Sequence, residues 1–231
     1  MATNISLYED VLSIVRKSSV GSFTPATFVK WINKSMKIVV DNKLAGMEIN
    51  ARYIDDLLPL HIQHKALTLI TDYAVLPTDY LRKEAIHLDL SKTVSGVTST
   101  VNDVKCVLLR ENRRSSVLNS VYDSPSTRKS YYTLEKILLE AEGEELQQNV
   151  KIIRFFVPTG YAISAYISYY HNPTPISLVY DDGAFVEETL EWGDSMVNEI
   201  ADKCSTLYIA SINDPRTQIS MALNQQTNNK L

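Results

Sequence analysis

Apolar residues recur with helical spacing over the first sixty residues of the chain. Leu7, Val11 and Val15 are four residues apart, which places them on one face of a short helix. Thr24 followed by Pro25 is typical of a helix N-cap with proline at the first helical position. The pattern predicts three helices, around residues 7–15, from 25 to near 46, and over 51–57.

The second of these helices contains a tryptophan on its apolar side. Trp31 lies next to the stripe that includes Phe28 and Ile32. We therefore expect Trp31 to belong to the helical core, where its replacement by alanine would cost about 3 kcal/mol of stability.

The hydrophobic period changes from helical to two in the middle of the chain. Ile86, Leu88 and Leu90 alternate with His87 and Asp89, which predicts a half-buried strand over residues 84–90. The Ser- and Thr-rich stretch from 91 to 105 is interpreted as a loop or weak strands, and the stretch from 106 to 128 as an exposed loop. Further β-rich runs predict strands over 131–143, 150–160 and 161–170.

Helical spacing returns towards the end of the chain. Leu190, Val197, Ile200, Cys204 and Leu207 follow it over several turns, and we expect this helix to occupy residues 186–212. The amide-rich stretch that follows has too few large apolar residues to build a core and is predicted to be ordered only by a partner.

These elements predict an α+β fold in which N- and C-terminal helices pack together around an antiparallel β-sheet insertion. The expected organisation is one domain over residues 1–212, followed by an extended docking tail over residues 213–231. Within the domain, the helical parts are residues 1–60 and 186–212, and the β-rich insertion is residues 66–171.

Composition narrows the classes of function. A net charge of −4 argues against broad wrapping of nucleic acid, and seven glycines without a Gly-rich loop argue against a phosphate-cradling site. No secretory signal and no membrane-spanning run is visible, so we expect a soluble protein made in a reducing cytoplasm, without a cofactor and without membrane contact.

One segment is basic in this acidic chain. It could contact a DNA backbone or an acidic neighbour, and the alternative is a solvated loop with scattered charge. Its basic residues are Arg110, Arg113, Arg114, Arg128 and Lys129.

Three patterns that suggest chemistry have simpler explanations. His61 and His64 have a spacing that places two imidazoles on one helical face, but no third ligand follows to complete a metal shell. Glu187, Glu188 and Glu191 could act as an acid/base pair, yet carboxylates in a first helical turn are also favoured by the helix dipole. No serine has a nucleophile-elbow context. We therefore predict neither a metal site nor an enzyme.

Several motifs, in order along most of the chain, resemble the head-to-tail adaptor proteins of tailed bacteriophages, including those of crAss-like short-tailed phages. They are the helix pair with TPATFVKWINKSM, the segment VLPTDYLRKEAIHLDL, the strand exit ISYYHNPTPI, the long C-terminal helix and the polar tail. The stretch over residues 91–130 departs from small members of this family.

The resemblance implies a structural virion protein at the junction of portal and tail, assembled in the host cytoplasm. It implies a ring of about twelve identical subunits that binds the portal above and a tail or second neck ring protein below. The genome passes through such a ring without specific binding. A small hydrolase using the acidic pair near residues 187–191, and a host-binding module acting through the tail, are the alternatives.

The expected partner contacts lie at the strand exit and in the tail. Ile219, Met221 and Leu223 are spaced by two, as in a strand that adds to a partner's sheet, while Ile219 and Leu223 also fit a short helix. The predicted interface residues are Tyr169, Tyr170, Arg216, Ile219, Met221 and Leu223.

Overall fold

The computed structural model describes residues 2–17, 23–50, 52–120, 122–141 and 144–213. The chain divides into two compact units. The helical unit is formed by Met1–Pro59 with Pro173–Leu231, and the sheet unit by Leu60–Asn172. The predicted β-rich insertion, residues 66–171, falls inside the sheet unit.

The helical unit contains four helices and one small hairpin among its described residues. They are α1 (Asn4–Lys17), α2 (Pro25–Gly46), α3 (Arg52–Leu57), β9 (Tyr180–Asp181), β10 (Ala184–Phe185) and α5 (Asp194–Asn213). The three helices predicted from the N-terminal pattern are confirmed by α1, α2 and α3.

Local sequence explains where these helices begin and which faces they bury. The Thr24 hydroxyl accepts a hydrogen bond from the Thr27 amide at 3.2 Å, which confirms the predicted cap of α2. Helix α5 packs against both α1 and α2. Phe28 is fully buried, with its ring edge-on to Tyr8. Trp31 is only half-buried and lies at the border of the core, with its ring edge-on to that of buried Tyr208.

The last helix begins later than its apolar pattern predicts. It starts at Asp194 rather than 186, and the preceding stretch is irregular apart from the β9–β10 hairpin. Two buried or half-buried asparagines satisfy the backbone there: Asn4 bonds Ser177, Val186 and Glu188, and Asn33 bonds Ile176. These asparagine side chains bond backbone N–H and C=O groups of the stretch. Those groups are therefore satisfied without the hydrogen bonds of a helix or a strand.

The sheet unit is one eight-stranded sheet with a short helix, α4 (Arg114–Leu118). Its strand order is β1-β8-β4-β5-β6-β7-β3-β2. The strands are β1 (His61–Leu67), β2 (Leu69–Ile70), β3 (Tyr73–Val75), β4 (Tyr80–Val94), β5 (Val97–Leu108), β6 (Ser130–Ala141), β7 (Glu144–Phe156) and β8 (Ala162–His171).

This sheet is nearly closed on itself. Its two edge strands, β1 and β2, are separated in sequence by Thr68 alone, so the edges lie next to each other. The apolar residues of the predicted half-buried strand, Ile86, Leu88 and Leu90, are buried in one apolar cluster together with Ala165, Ile167 and Tyr169 of β8. The predicted antiparallel sheet is wrong for one pair, because β5 runs parallel to β6 from Cys106 to Leu108. The long connection through α4 makes that pairing possible.

Two hairpins extend beyond the strands that flank them. The first, named here the valine arm, is formed by Ser91–Val94 of β4 and Val97–Thr100 of β5, which pair with each other. The described pairing of β5 with β6 begins only at Cys106. Of the loop and the weak strands that were both open for residues 91–105, the strands are confirmed. The turn of the arm is formed by Ser95 and Gly96, both with positive φ. The second, named the acidic arm, is formed by residues 136–141 of β6 and 144–151 of β7.

Candidate functional site

The predicted basic segment surrounds a pocket in the sheet unit. The pocket has a volume of about 210 Å³ and lies between the end of β5, a 3-10 turn at Glu111–Arg113, α4 and the first residues of β6. Three of the five predicted basic residues line it: Arg110, Arg113 and Lys129. We call this cavity the basic pocket.

A small apolar cluster forms the floor of the basic pocket. Leu109, Val117 and Tyr131 are buried together, with Leu118 and Phe156 packed against them. The Leu109 amide donates to the Tyr132 carbonyl at 2.8 Å, which fixes the chain as it leaves β5. The segment that carries the basic side chains is therefore held in place by this apolar cluster and is not a free loop.

The charges of the pocket are unevenly satisfied. Lys129 forms an ion pair with Asp123 at 3.0 Å and lies over the Tyr131 ring. Hydrogen bonds with Tyr131 and Asp123 raise the pKa of Lys129. Among the residues that the structure describes, no carboxylate lies within 4.0 Å of Arg110 or Arg113. Two unpaired guanidinium groups beside one neutralised lysine make the pocket positive.

The other two predicted basic residues lie elsewhere. Arg128 is exposed and does not line the pocket. Arg114 lies over the Phe156 ring, with Glu111 at 3.7 Å and Glu135 at 3.6 Å from its guanidinium. Arg114 is therefore part of a structural charge network, which separates it from the residues that could bind a ligand.

That network continues across the sheet through Glu135. Its carboxylate accepts hydrogen bonds from Thr133 at 2.8 Å and from Arg154 at 3.2 Å, and Arg154 also binds Asp72 at 2.7 Å. Burial alone would raise the pKa of Glu135, but these hydrogen bonds and the charges of Arg154 and Arg114 outweigh it and lower that pKa.

The tyrosines predicted as interface residues face the interior instead. Tyr169 is 0% exposed and Tyr170 is 3% exposed. The Tyr169 hydroxyl donates to Asp79 at 3.0 Å and accepts from Lys65 at 3.1 Å. Their burial leaves almost no ring surface for a partner. The other predicted interface residues, Arg216, Ile219, Met221 and Leu223, lie outside the described residues.

The histidine pair is not on a helix. His61 and His64 lie in β1, and a bulge between Ile62 and Lys65 gives His64 a positive φ. The His61 ring lies 2.6 Å from Glu84, and the His64 ring stacks on Tyr166. Within the described part of the chain, no three potential metal ligands come together.

The acidic residues predicted in the first turn of the last helix lie before it. Only Asp194 is in that turn, so the dipole interpretation is wrong for Glu187, Glu188 and Glu191. Glu188 and Glu191 line a second pocket, of about 130 Å³. Glu188 accepts a hydrogen bond from Ser177, and Glu191 accepts two from Thr174. Both carboxylates thus hold the irregular stretch in place.

The valine arm, with Val101 next to it, presents exposed valines that sequence analysis did not single out as a surface. Val94, Val97 and Val101 are 58%, 73% and 37% exposed. The available signal was the high content of β-branched residues in VSGVTSTV, because such a composition is typical of a strand.

Comparison with known proteins adds no identity: the chain matches no family model, and no curated protein is detectably similar to it. No helix in the described ranges is both long and apolar enough to cross a membrane.

Proposed function

We propose that the protein is a structural subunit of a phage virion, forming a ring below the portal that connects head to tail and surrounds the DNA channel. The proposal is supported by the resemblance of motifs along most of the chain. The helical unit, assembled from both chain ends around a sheet insertion, agrees with the arrangement that this resemblance implies.

The observation that carries the proposal is the valine arm. Among the strands that the structure describes, β5 pairs from Val97 to Lys105 only with β4, so the other edge of this segment has no strand beside it. Val97 and Val101 are exposed on the same strand. An open, partly apolar strand edge is a template for pairing with another chain, and a protein that acts by assembly uses such edges.

The proposed ring contains about twelve copies and contacts the portal on one side and a tail or second neck ring protein on the other. Its net negative charge per subunit suits a conduit, because strong attraction to the DNA backbone would slow passage of the genome. Its expected place is the portal–tail junction of the virion, after assembly in the host cytoplasm.

The test is the mass of the full-length protein, alone and with portal, measured by native mass spectrometry and electron microscopy. A ring of roughly twelve subunits of 26.1 kDa is expected. Val97→Lys should reduce the assembled fraction, whereas Thr98→Lys, on the opposite face of the same strand, should not. A chain that stays monomeric with portal present contradicts the proposal.

The same preparation tests the hydrolase alternative. That hypothesis expects cell-wall cleavage by the unassembled chain, abolished by Glu188→Gln. Cleavage of this kind without any ring would replace the structural proposal.

A further inference from the structure

We propose that the basic pocket of one subunit binds the β9–β10 hairpin of its neighbour, and that this contact joins adjacent copies in the ring. The hairpin, with one residue added on either side, comprises residues 179–186 and is named here the aspartate hairpin. The inference names a contact between copies and rests on the proposed function for the existence of a ring. Its basis is that the pocket and the hairpin are complementary in charge and in exposed apolar groups.

The pocket provides two guanidinium groups that have no described acidic partner. Arg110 and Arg113 are exposed, and no carboxylate among the described residues lies within 4.0 Å of either guanidinium. The segment that carries them is held in place by the apolar cluster of Leu109, Val117 and Tyr131. A guanidinium presents a planar fork of donors that matches a carboxylate, so the pocket suits an acidic side chain.

The lining of the pocket also includes exposed apolar groups. Val107 and Leu108, the last residues of β5, line the pocket and are both exposed. In a protein–protein interface, apolar contacts are surrounded by polar and charged groups. A ligand that uses the whole lining therefore presents carboxylates and apolar groups together.

The aspartate hairpin presents this combination. Asp181 ends β9 and Asp182 begins the turn; both are exposed, and neither has a basic partner within 4.0 Å among the described residues. Val179 and Tyr180 precede them and are exposed as well. The hairpin contains no basic residue. Its carboxylates and apolar side chains therefore match the arginines and the apolar residues of the pocket.

Contacts within its own subunit give the aspartate hairpin a defined shape. The Tyr180 hydroxyl donates a hydrogen bond to the Gly183 carbonyl at 2.9 Å across the turn. The Phe185 ring lies edge-on to the Tyr180 ring, with 5.2 Å between the ring centroids, and 6.1 Å from the Tyr8 ring of α1. A segment that is already ordered loses less conformational entropy when it binds. The hairpin is therefore suited to bind as a preformed unit.

The proposed contact is heterologous, because it joins two different surfaces of the same chain. A heterologous contact generates a ring when the rotation between copies closes, and an open filament when it does not. The pocket lies at the end of β5, and the edge of β5 from Val97 to Lys105 has no described strand beside it. The pocket thus follows, along the same strand, the edge already proposed for assembly.

DNA phosphate is the rival ligand for the same arginines. Asp123 lines the pocket and pairs with Lys129, and a carboxylate in the wall of a site disfavours a highly charged phosphate backbone. A phosphate backbone would also leave Val107 and Leu108 without an apolar partner. An acidic protein segment that carries apolar side chains fits this mixed lining better.

The experiment is a charge exchange between full-length subunits, with the assembled fraction measured by native mass spectrometry. The pocket variant Arg110→Glu/Arg113→Glu and the hairpin variant Asp181→Arg/Asp182→Asn should each lower that fraction about tenfold or more, because like charges then face each other. Asparagine is used at residue 182 because it tolerates the φ of +46° there. Mixed in equal amounts, the two variants should assemble as wild type does, because each pocket then faces a hairpin of opposite charge.

Two exposed residues outside the contact provide matched controls. Arg128→Glu reverses a charge outside the pocket, and Asp41→Arg reverses one on α2. Both variants should assemble as wild type does. Circular dichroism melting curves close to wild type establish that each variant folds. The neutral variant Asp181→Asn/Asp182→Asn, which suits the turn, should also lower the assembled fraction and replaces the hairpin variant if that one does not fold.

The outcomes separate the contact from the proposed function. If wild type forms rings and the pocket variant does so equally well, the contact fails while the ring stands. If wild type forms open oligomers that respond to the charge exchange in the same way, the contact stands and the ring proposal fails. Chains that stay monomeric in every variant and in the wild type overturn both.

Three further results would overturn the contact alone. A mixture of the pocket and hairpin variants that stays unassembled would show that these two surfaces do not meet between copies. Equal loss of assembly with Arg128→Glu or Asp41→Arg would show that net charge, and not this contact, controls association. A short DNA duplex that binds wild type but not the pocket variant, measured by fluorescence anisotropy, would assign the pocket to nucleic acid.

Discussion

Glu135 is a charged residue whose partners come from three parts of the sheet unit. Its carboxylate joins Thr133, Arg154 and Arg114, and Arg154 continues the network to Asp72. Because the site is largely screened from solvent, these charge-assisted hydrogen bonds contribute more than an exposed ion pair would. The network thereby fastens the start of β6 to β7 and to the turn before β3.

Replacement of Glu135 by glutamine should lower the free energy of unfolding at neutral pH by about 1–2 kcal/mol. The folded-state pKa of Glu135 is lowered, so its contribution is fully present above the unfolded value near 4.3 and is lost as the pH falls through the folded-state pKa. Denaturant unfolding of both proteins between pH 7 and pH 3 should therefore show the difference closing in acid.

Glu111→Gln is the matched control for that prediction. Its carboxylate is 3.7 Å from the same Arg114 but is largely exposed, so its replacement should change stability by less than about 0.5 kcal/mol. An equal loss in both variants would mean that the Glu135 network is not the stabilising feature.

The sequence predicted the basic segment but not the different roles of its arginines. Arg114 is adjacent to Arg113 in sequence, yet its partners Glu135 and Phe156 lie more than twenty residues away. Which arginine is paired and which is free depends on the parallel pairing of β5 with β6, and no local pattern contains that information.

At the scale of elements, helix α2 contains two aromatic residues that are buried to different extents and should contribute differently to the stability of the fold. Phe28 is fully buried against Tyr8 and Phe23. Trp31, three residues later, is half-buried, with Lys34 lying over its ring. The helical stripe is centred on Phe28 and Ile32, which places Trp31 at its border.

Phe28→Ala should therefore cost about 3–5 kcal/mol of stability, because it removes a ring from a closed core. Trp31→Ala should cost clearly less, since its ring is already partly in water. Urea unfolding monitored by circular dichroism compares the two variants directly. A larger loss of stability for Trp31→Ala would show that the edge-on contact of Trp31 with Tyr208 contributes more than the complete burial of Phe28.

The turn of the valine arm depends on backbone conformation rather than on packing. Gly96 has a φ of +79°, and a Cβ added there would meet no atom within 4 Å. Gly96→Ala should therefore destabilise the arm by about 1 kcal/mol through strain alone, and Gly96→Asn by less, because asparagine tolerates positive φ. Amide hydrogen exchange of the arm should be faster in Gly96→Ala than in Gly96→Asn. Equal exchange rates in both variants would rule out backbone strain as the cause.

Elements with their own periodicity were predictable, and those held by distant residues were not. The apolar stripes and the Thr24 cap predicted α1 and α2 with nearly correct bounds. The irregular stretch before α5 escaped prediction because Asn4 and Asn33, far away in sequence, satisfy its backbone. For the valine arm the sequence left a loop and weak strands both open, because a two-stranded hairpin with both faces exposed lacks the alternation of a half-buried strand.

For the molecule as a whole, the mixed α+β class was predictable, whereas the parallel β5–β6 pair and the assembly were not. The change of hydrophobic period from helix to strand and back predicted mixed α+β structure, which the structure confirms. The sequence pattern of one chain does not show which residues meet between two copies, because those residues belong to different chains. The β5 edge that has no described strand beside it is one feature from which a contact between copies can be argued.

The docking tail gives the last prediction, which separates attachment from ring formation. Helix α5 ends at Asn213, so a chain that ends there keeps every described helix. Within the ring proposal, this truncated protein should melt as wild type does and still form rings, because the described helices and the β5 edge proposed for assembly are intact. It should fail to join portal-containing heads, because it lacks Ile219, Met221 and Leu223, which are proposed to pack against the portal. Sedimentation of heads with truncated and full-length protein measures the difference, and Ile219→Ser/Leu223→Ser in the full chain is the matched control for loss of length. Unchanged co-sedimentation of the truncated protein would assign portal attachment to the described part of the chain, with the valine arm as the surface to test next.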